Sequence, residues 1–363
     1  MRRGILTLAA VGLLTAGSLT ACDNDSTDGA ATRPKPKIGV ILPDSASSNR
    51  WETADRRYLE AAFKAAGVDY DIQNAQNDKA RFVTIAEQMI TNGVTALMIT
   101  NLDSGTGKAV LDKATQRGVA TIDYDRPTLG GSAQYYVSFD NVAVGRLQGE
   151  GLVKCLADKG VKNPVIAELN GSPTDNNAAQ FKEGYDSVLE PRYDAKEYLK
   201  GPDQWVPEWN NTTGGTIFEQ MLTQTNGRID AVVAANDGLA NAVISVLAKN
   251  KLNGRVPVTG QDADAQALQH ILSGDQCMTV YKPVETEAEA AAALAIALAR
   301  GERKKTEQSF HDPKGNRNVP AVLLGAQAIT KETVKDVIAD GYVEKSDVCT
   351  AEYAALCARA GIS

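Results

Sequence analysis

The sequence predicts an α/β protein of two doubly wound, Rossmann-like parallel-sheet lobes, joined by a three-crossing hinge with a cleft between them. Three observations carry this. Strand-forming and helix-forming segments alternate along most of the 363 residues, and a β-α-β-α order implies a parallel sheet covered on both faces. Gly67, Gly93 and Gly118 each fall just past a helical segment, where a left-handed residue is wanted. The alternation then repeats after a joint near 136-YVSFDN-141.

In the first unit the strand-like runs are KIGVIL ending at Leu42, 68-VDYDIQNA-75, 94-VTALMIT-100 and 119-VATIDY-124, with helical segments near 51–66, 79–92 and 105–117. In the second unit strands read at 164-PVIAELN-170, 194-DAKEYLK-200, 230-DAVVAAN-236, 256-VPVTGQ-261 and 277-CMTVYK-282. Helices read near 141–158, 174–189, 213–226, 237–250 and 263–273, and an Ala-rich one at 285–300.

The first 21 residues stand apart. Arg2 and Arg3 precede the apolar run 4-GILTLAAVGLLTAGSLTA-21, the pattern of an export signal rather than a spanning helix. It ends in 19-LTAC-22, which resembles the bacterial lipobox, so Cys22 is the expected lipid-bearing residue. Residues 22–37 lack an apolar period and are rich in Asp, Ser, Gly and Pro, the composition of a solvated tether. Their Asp spacing fails as a calcium loop, because Thr27 and Pro34 stand where ligands are needed. No metal and no cofactor is expected.

Loss of Arg2 and Arg3 with the signal takes the formal charge from −7 to −9. That argues against nucleic acid or anionic lipid as a partner. No later segment approaches about 18 uninterrupted apolar residues. The chain is therefore expected outside the cytoplasm, at the outer face of the cytoplasmic membrane, held there by lipid alone. Cys155, Cys277, Cys349 and Cys357 remain, and an oxidising compartment suits one or two disulfides. If 351-AEYAALCARA-360 is helical, Cys349 and Cys357 lie about 12 Å apart along its axis, too far to bridge. Pairing of either with Cys155 or Cys277 is then expected.

In parallel sheets ligands meet the carboxyl ends of the strands. At those ends stand 49-NRW-51, 125-DR-126, 171-GSPTDNN-177, 205-WVPEW-209, 236-ND-237, 261-QDAD-264 and 281-YKP-283. Loops are polar anyway, but here Asp, Asn, Arg and Lys recur beside Trp. Carboxylates accept a hydroxyl proton, cationic groups donate to oxygen, and Asn does either; an indole face suits the C–H face of a pyranose. An enzyme is disfavoured. No GxSxG, HExxH or Cys-His dyad is present, and 104-SGTGK-108 lacks the first Gly and the Ser or Thr of a phosphate loop. Asp125 and Asp175 are a conceivable glycosidase pair, but Arg126 beside Asp125 would keep the latter ionised and poor as an acid.

The ordered stretches 49-NRW-51, 122-IDYDR-126, 136-YVSFDN-141, 171-GSPTDNNA-178, 203-DQW-205, 230-DAVVAANDG-238, 260-GQDAD-264 and 278-MTVYKP-283 resemble the periplasmic-binding-protein type I sugar receptors of ABC importers, most of all the xylose-binding ones. The resemblance implies a monomeric receptor that passes a monosaccharide, xylose or a close aldose, to a membrane permease. It implies ligand contacts from Arg50, Trp51, Asp125 and Arg126 in the first lobe and Asp175, Asn177, Trp205, Asn236 and Asp262 in the second, with Lys282 at a crossing. Trp51 and Trp205 would take the two faces of the ring. The crossings fall near Asp140, near Pro283 and between His311 and Leu323. This gives residues 38–139 plus 284–312 to the first lobe, 140–283 plus 313–349 to the second, and 350–363 to a helical tail. Asn49 before Arg50, and the segments 206-VPEWNNTTGG-215 and 346-SDVCTAEYAALCARAGIS-363, depart from the family pattern. A repressor-type regulator shares this fold but needs a helix-turn-helix where this chain carries its leader and tether.

Overall fold

A computed structural model describes residues 35–362; Cys22 and the leader lie outside the described residues. The first lobe is built on β1 (Lys37–Leu42), β2 (Asp69–Asn74), β3 (Ala96–Ile99), β4 (Ala120–Tyr124) and β5 (Tyr135–Phe139). All five run parallel, and β10 (Gln308–Asp312) and β11 (Arg317–Leu324) extend the sheet to the order β10-β11-β5-β4-β3-β1-β2. The ALMI run of β3 is buried throughout, as expected of a central strand covered on both faces. One face packs against α1 (Arg56–Ala65) and α9 (Val284–Ala299), with Leu59, Phe63, Ala291 and Ala295 in that core. The other packs against α2 (Lys79–Thr91) and α3 (Ser104–Gln116), with Phe82, Met89 and Leu111.

The second lobe holds a parallel sheet, β7-β6-β8, of β6 (Val165–Asn170), β7 (Leu199–Trp205) and β8 (Ala231–Ala234). Around it lie α4 (Asn141–Asp158), α5 (Asn176–Asp194), α6 (Asn211–Gln224) and α7 (Asp237–Lys249). The helices α4 and α5 touch backbone to backbone: a Cβ on Gly145 would stand 2.0 Å from the Phe181 carbonyl oxygen. That close approach brings the N-terminus of α5 up to the cleft. A second layer is formed by α8 (Ala265–Ser273), β9 (Thr279–Tyr281), β12 (Gln327–Ile329), α10 (Val334–Ala339), α11 (Lys345–Val348) and α12 (Ala354–Arg359), with β9 and β12 antiparallel.

Four expectations are corrected. The strand placed at 194–200 is displaced, because α5 continues through Pro191 to Asp194 and the strand starts at Leu199. The run 256–261 forms no ladder, only a bridge from Val258 to Val232; Pro257 has no N–H to give to one. The strand β11 lies parallel to β5 in the first-lobe sheet, so residues 313–324 do not belong to the second lobe. The third crossing is at Gly325–Ala326, past the 311–323 window. Finally, Cys155 pairs with Cys277 and Cys349 with Cys357. The chain from 345 to 359 is two short helices with a turn between them, not one rod. Cys349 ends the first, and the turn brings its Cα to 5.8 Å from that of Cys357, within bridging range. The last residues are not a free appendage: Cys357 and Ile362 are buried with Leu268, Ile271, Val337 and Val348.

Candidate functional site

Residues from both lobes meet in a small cavity of about 30 Å³. Its walls include Arg50, Trp51, Asp125, Arg126, Asp175, Asn177, Asn236, Asp262 and Lys282. Of the ten side chains expected from sequence, only Trp205 is not among them. It is the last residue of β7, half-buried against the second-lobe core. The strand's late start carries it inside the sheet, and the following turn presents Trp209 to the cavity instead. Glu208 and Trp209 both take left-handed backbone angles, φ 59° and 55°, which is unusual for such residues and characteristic of functional turns. The indole is held by Asp175, to which its Nε1 donates at 3.0 Å.

The first-lobe cations are organised from beneath. A five-residue π-helical turn, Trp51–Asp55, precedes α1 and directs Arg50 inward. Its guanidinium donates to both oxygens of Asp55 at 2.8 and 2.9 Å, to Glu287 at 2.8 Å and to Asp125 at 3.0 Å. All four groups are buried. Tyr124 donates its hydroxyl to Asp55 at 2.7 Å. Burial, then the charge of Asp125, push the Glu287 carboxyl well above its ordinary range. Asp55 and Glu287 were not legible as site elements, because each lies inside a helical segment with nothing in its spacing to mark it.

Asp125 itself makes the turn out of β4, with φ 63°, so the chain leaves the sheet two residues before Pro127, whose own φ is the one the ring fixes. Its backbone oxygen accepts from Ser138 Oγ at 2.7 Å and Asn177 Nδ2 at 2.9 Å. Burial opposes its ionisation, yet Arg50, Lys282 and Arg126 together hold the carboxyl below its ordinary range. The direct partner is Arg50; Arg126 instead binds Asp175 at 2.9 Å. For Asp175 burial prevails over Arg126, and its carboxyl is pushed up.

Polar residues at strand ends sort into two kinds. Asp78, Asp103, Asp140 and Asp264 accept from backbone N–H groups as helix N-caps. Asp175 and Asn236 also cap helices, but each keeps a second polar atom for the cleft. Asn236 donates to the Ser47 carbonyl at 3.2 Å, and Asp262 accepts from Ser48 at 3.0 Å, so the two lobes touch directly. Lys282 lies 2.9 Å from Asp262 and over the rings of Phe139 and Phe181. Ser47, Ser48, Phe181 and Gln261 complete the wall.

Asp123 lies below the cleft floor, accepting from Thr128 N at 2.8 Å and Thr128 Oγ1 at 2.6 Å; it does not line the cavity. Burial raises its carboxyl to about 7, with Arg317 opposing and Asp312 adding to the shift. The folded state therefore holds this proton more tightly than the unfolded chain. Its contribution to stability is full below about pH 4 and is lost as pH rises toward 7. Unfolding midpoints of wild type and Asp123→Asn, measured from pH 4 to 8, are expected to show a flatter pH slope in the variant. Equal slopes would remove Asp123 as the source.

Two α/β lobes facing each other across a polar cleft define a solute receptor. The chain belongs to the periplasmic binding protein family: residues 38–303 match its domain. It is 34% identical over 323 residues to the D-xylose-binding periplasmic protein of Escherichia coli, covering 89% of this chain and 95% of that one. It is 32% identical over 328 residues to the multiple sugar-binding periplasmic receptor of Rhizobium radiobacter, covering 86% and 92%. A carbohydrate transporter solute-binding protein from Chloroflexus aurantiacus, solved with D-glucose, superposes with a TM-score of 0.78 at 27% identity, over 85% of this chain and 97% of that one. These relatives are binding proteins, not enzymes. Among the described residues no helix is long and apolar enough to cross a membrane, and no group of His, Cys, Asp and Glu is placed to hold a metal.

Proposed function

We propose that this protein is the exported receptor of an ABC sugar importer, binding one aldose in the interlobe cavity and passing it to a permease. D-xylose is the first candidate and glucose the second. The observation that carries the reading is the convergence of Arg50, Asp125, Arg126, Asp175, Asn177, Asn236, Asp262 and Lys282 with two indoles around one small space. Charged groups bind hydroxyls with about 1.5–3 kcal/mol each, and micromolar affinity requires about −8 kcal/mol in all. Trp51 and Trp209 supply aromatic surface for the C–H faces of the ring.

With the walls as they stand, the cavity has room for only a few water-sized groups, so a pyranose enters when the lobes part. Closure about the three crossings then brings both sets of groups onto it. The chain works as a monomer, tethered through a lipid on Cys22. Support comes from the xylose-binding and multiple-sugar-binding relatives; the glucose-bound neighbours favour the second candidate.

Calorimetric titration of residues 35–363 with pentoses and hexoses is the test. Micromolar or tighter binding of xylose, with glucose weaker, is expected. No monosaccharide bound below millimolar would end the sugar reading, and glucose bound tightest would exchange the candidates. Small-angle scattering that showed equal compaction with and without sugar would rule out closure. Membrane retention of Cys22→Ser on cell fractionation would rule out the lipid anchor.

A further inference from the structure

Gln261 stands out among the buried amides. Asn74, Asn101, Asn141, Gln148, Asn170, Asn177, Asn236 and Gln276 are all buried, and each donates at least one side-chain hydrogen bond within the protein, although the side-chain oxygens of Asn101, Gln148 and Gln276 are buried without a partner too. Gln261 is only 3% exposed. Among the described residues its amide has no side-chain hydrogen bond at either end, and its Oε1 is fully buried without a partner. Leaving a polar group in this condition costs free energy, and the great majority of buried polar side-chain atoms are paired. A second orphan lies in the same wall: Trp51 Nε1 is buried and unpaired.

The backbone explains why the amide is held there. Gln261 follows Gly260, whose Cα packs so closely on Asp237 that a Cβ would stand 2.0 Å from Asp237 Oδ1. Its own carbonyl accepts from Asp237 N at 2.9 Å. The next residue, Asp262, has φ 106°, a conformation disfavoured for a non-glycine residue. The Asp237 carboxylate accepts from Gln276 Nε2 at 2.9 Å and from Thr279 Oγ1 at 2.8 Å. The turn is thus fixed from below, and Gln261, with its amide unpaired, is one of the residues that line the cavity.

We propose that Gln261 is a direct ligand contact that reads one hydroxyl of a cyclic polyol, its carbonyl accepting the hydroxyl proton and its NH₂ donating to an oxygen. This rests on the sugar reading above. It makes Gln261 a residue by which the site distinguishes sugars that differ at a single hydroxyl, beyond the charged groups and indoles.

The test is a cycle of the protein and ligand changes. Wild type and Gln261→Met are titrated with D-xylose, D-glucose and their monodeoxy analogues, and the unliganded melting temperature of each is measured. The variant is expected to bind the parent sugar about ten-fold more weakly, the upper range for one neutral hydrogen bond. On the one analogue that lacks the hydroxyl in question, the two proteins are expected to agree within about two-fold. The unliganded variant is expected to melt no lower than wild type, because methionine removes an unpaired polar group and breaks no protein hydrogen bond. Equal affinity of wild type and variant for the parent sugars would overturn the assignment. So would a lowered melting temperature with the same loss on every analogue, which marks a structural role. Wild type that binds none of the sugars would overturn the receptor reading, and this one with it.

Discussion

Arg50→Met is expected to destabilise the first lobe by about 3–5 kcal/mol and to abolish measurable ligand binding. Arg50 touches three buried carboxylates, Asp55, Asp125 and Glu287. Methionine keeps the apolar stem but not the guanidinium, so the loss combines the uncompensated carboxylates with the space the guanidinium filled. Without the guanidinium, Asp125 loses its main neutralising neighbour and shifts toward the neutral acid, which no longer serves as a charged acceptor for a hydroxyl. Arg50→Lys is expected to fail as well, since one ammonium cannot reproduce the fork that grips Asp55 at both oxygens. Urea unfolding with an unchanged m-value, together with calorimetry, measures both effects. The double variant Arg50→Met, Glu287→Gln is expected to regain part of the stability and none of the binding. A single variant within about 1 kcal/mol of wild type would mean that the carboxylates are neutralised without Arg50.

Trp209→Ala is expected to weaken sugar binding by about 2 kcal/mol or more, while Trp205→Ala leaves affinity within about three-fold, a difference well under 1 kcal/mol. The two tryptophans are four residues apart, yet only Trp209 lines the cavity. Its truncation also removes one of the hydrogen bonds to Asp175, which keeps Arg126 and the Asn177 N–H, and takes away a buried ring, so a stability loss of about 3–5 kcal/mol is expected too. Gly171→Ala separates the two effects. A Cβ there would stand 2.1 Å from Trp209 Cη2, so the ring must shift while its buried surface is largely kept. Lost affinity with modest destabilisation is the expected result. Ligand-induced fluorescence change is expected to survive in Trp205→Ala and to diminish in Trp209→Ala. The reverse pattern would restore Trp205 to the site and remove Trp209.

These two residues also measure how far the sequence could be read. Arg50 was legible because it stands at the carboxyl end of a strong strand, in a motif a family shares. The carboxylates that fix it were not. Asp55 comes from the helix Arg50 precedes, and Glu287 from a helix 237 positions away, and neither is marked by its spacing. Trp205 is placed at the ring by the resemblance, whereas β7 runs on to that residue and Trp209 lines the cavity. The polar run 194–205 has no clean alternation, so nothing in it says where the helix stops or that the strand reaches as far as Trp205. The same limit applies to the cysteines. Helical rise would keep Cys349 and Cys357 apart in a rod, but the segment turns and brings the two within bridging range. For β11 the local pattern marks no strand, and nothing in it selects between the sheet edges of the two lobes.

What the sequence determined by itself was most of the periodic part: the strands and helices of the first unit, the helices and most strands of the second, their parallel order, and the polar residues at the strand ends. Hydrophobic period and capping chemistry act over a few residues, so they are written locally. The tertiary structure alone decided which polar groups pair across the lobes, which of them merely cap helices, and which were left without a partner. Those outcomes depend on distances between residues far apart in the chain. Asp125 is held low chiefly by Arg50, 75 residues away, not by the adjacent Arg126, because charges interact through space rather than along the backbone.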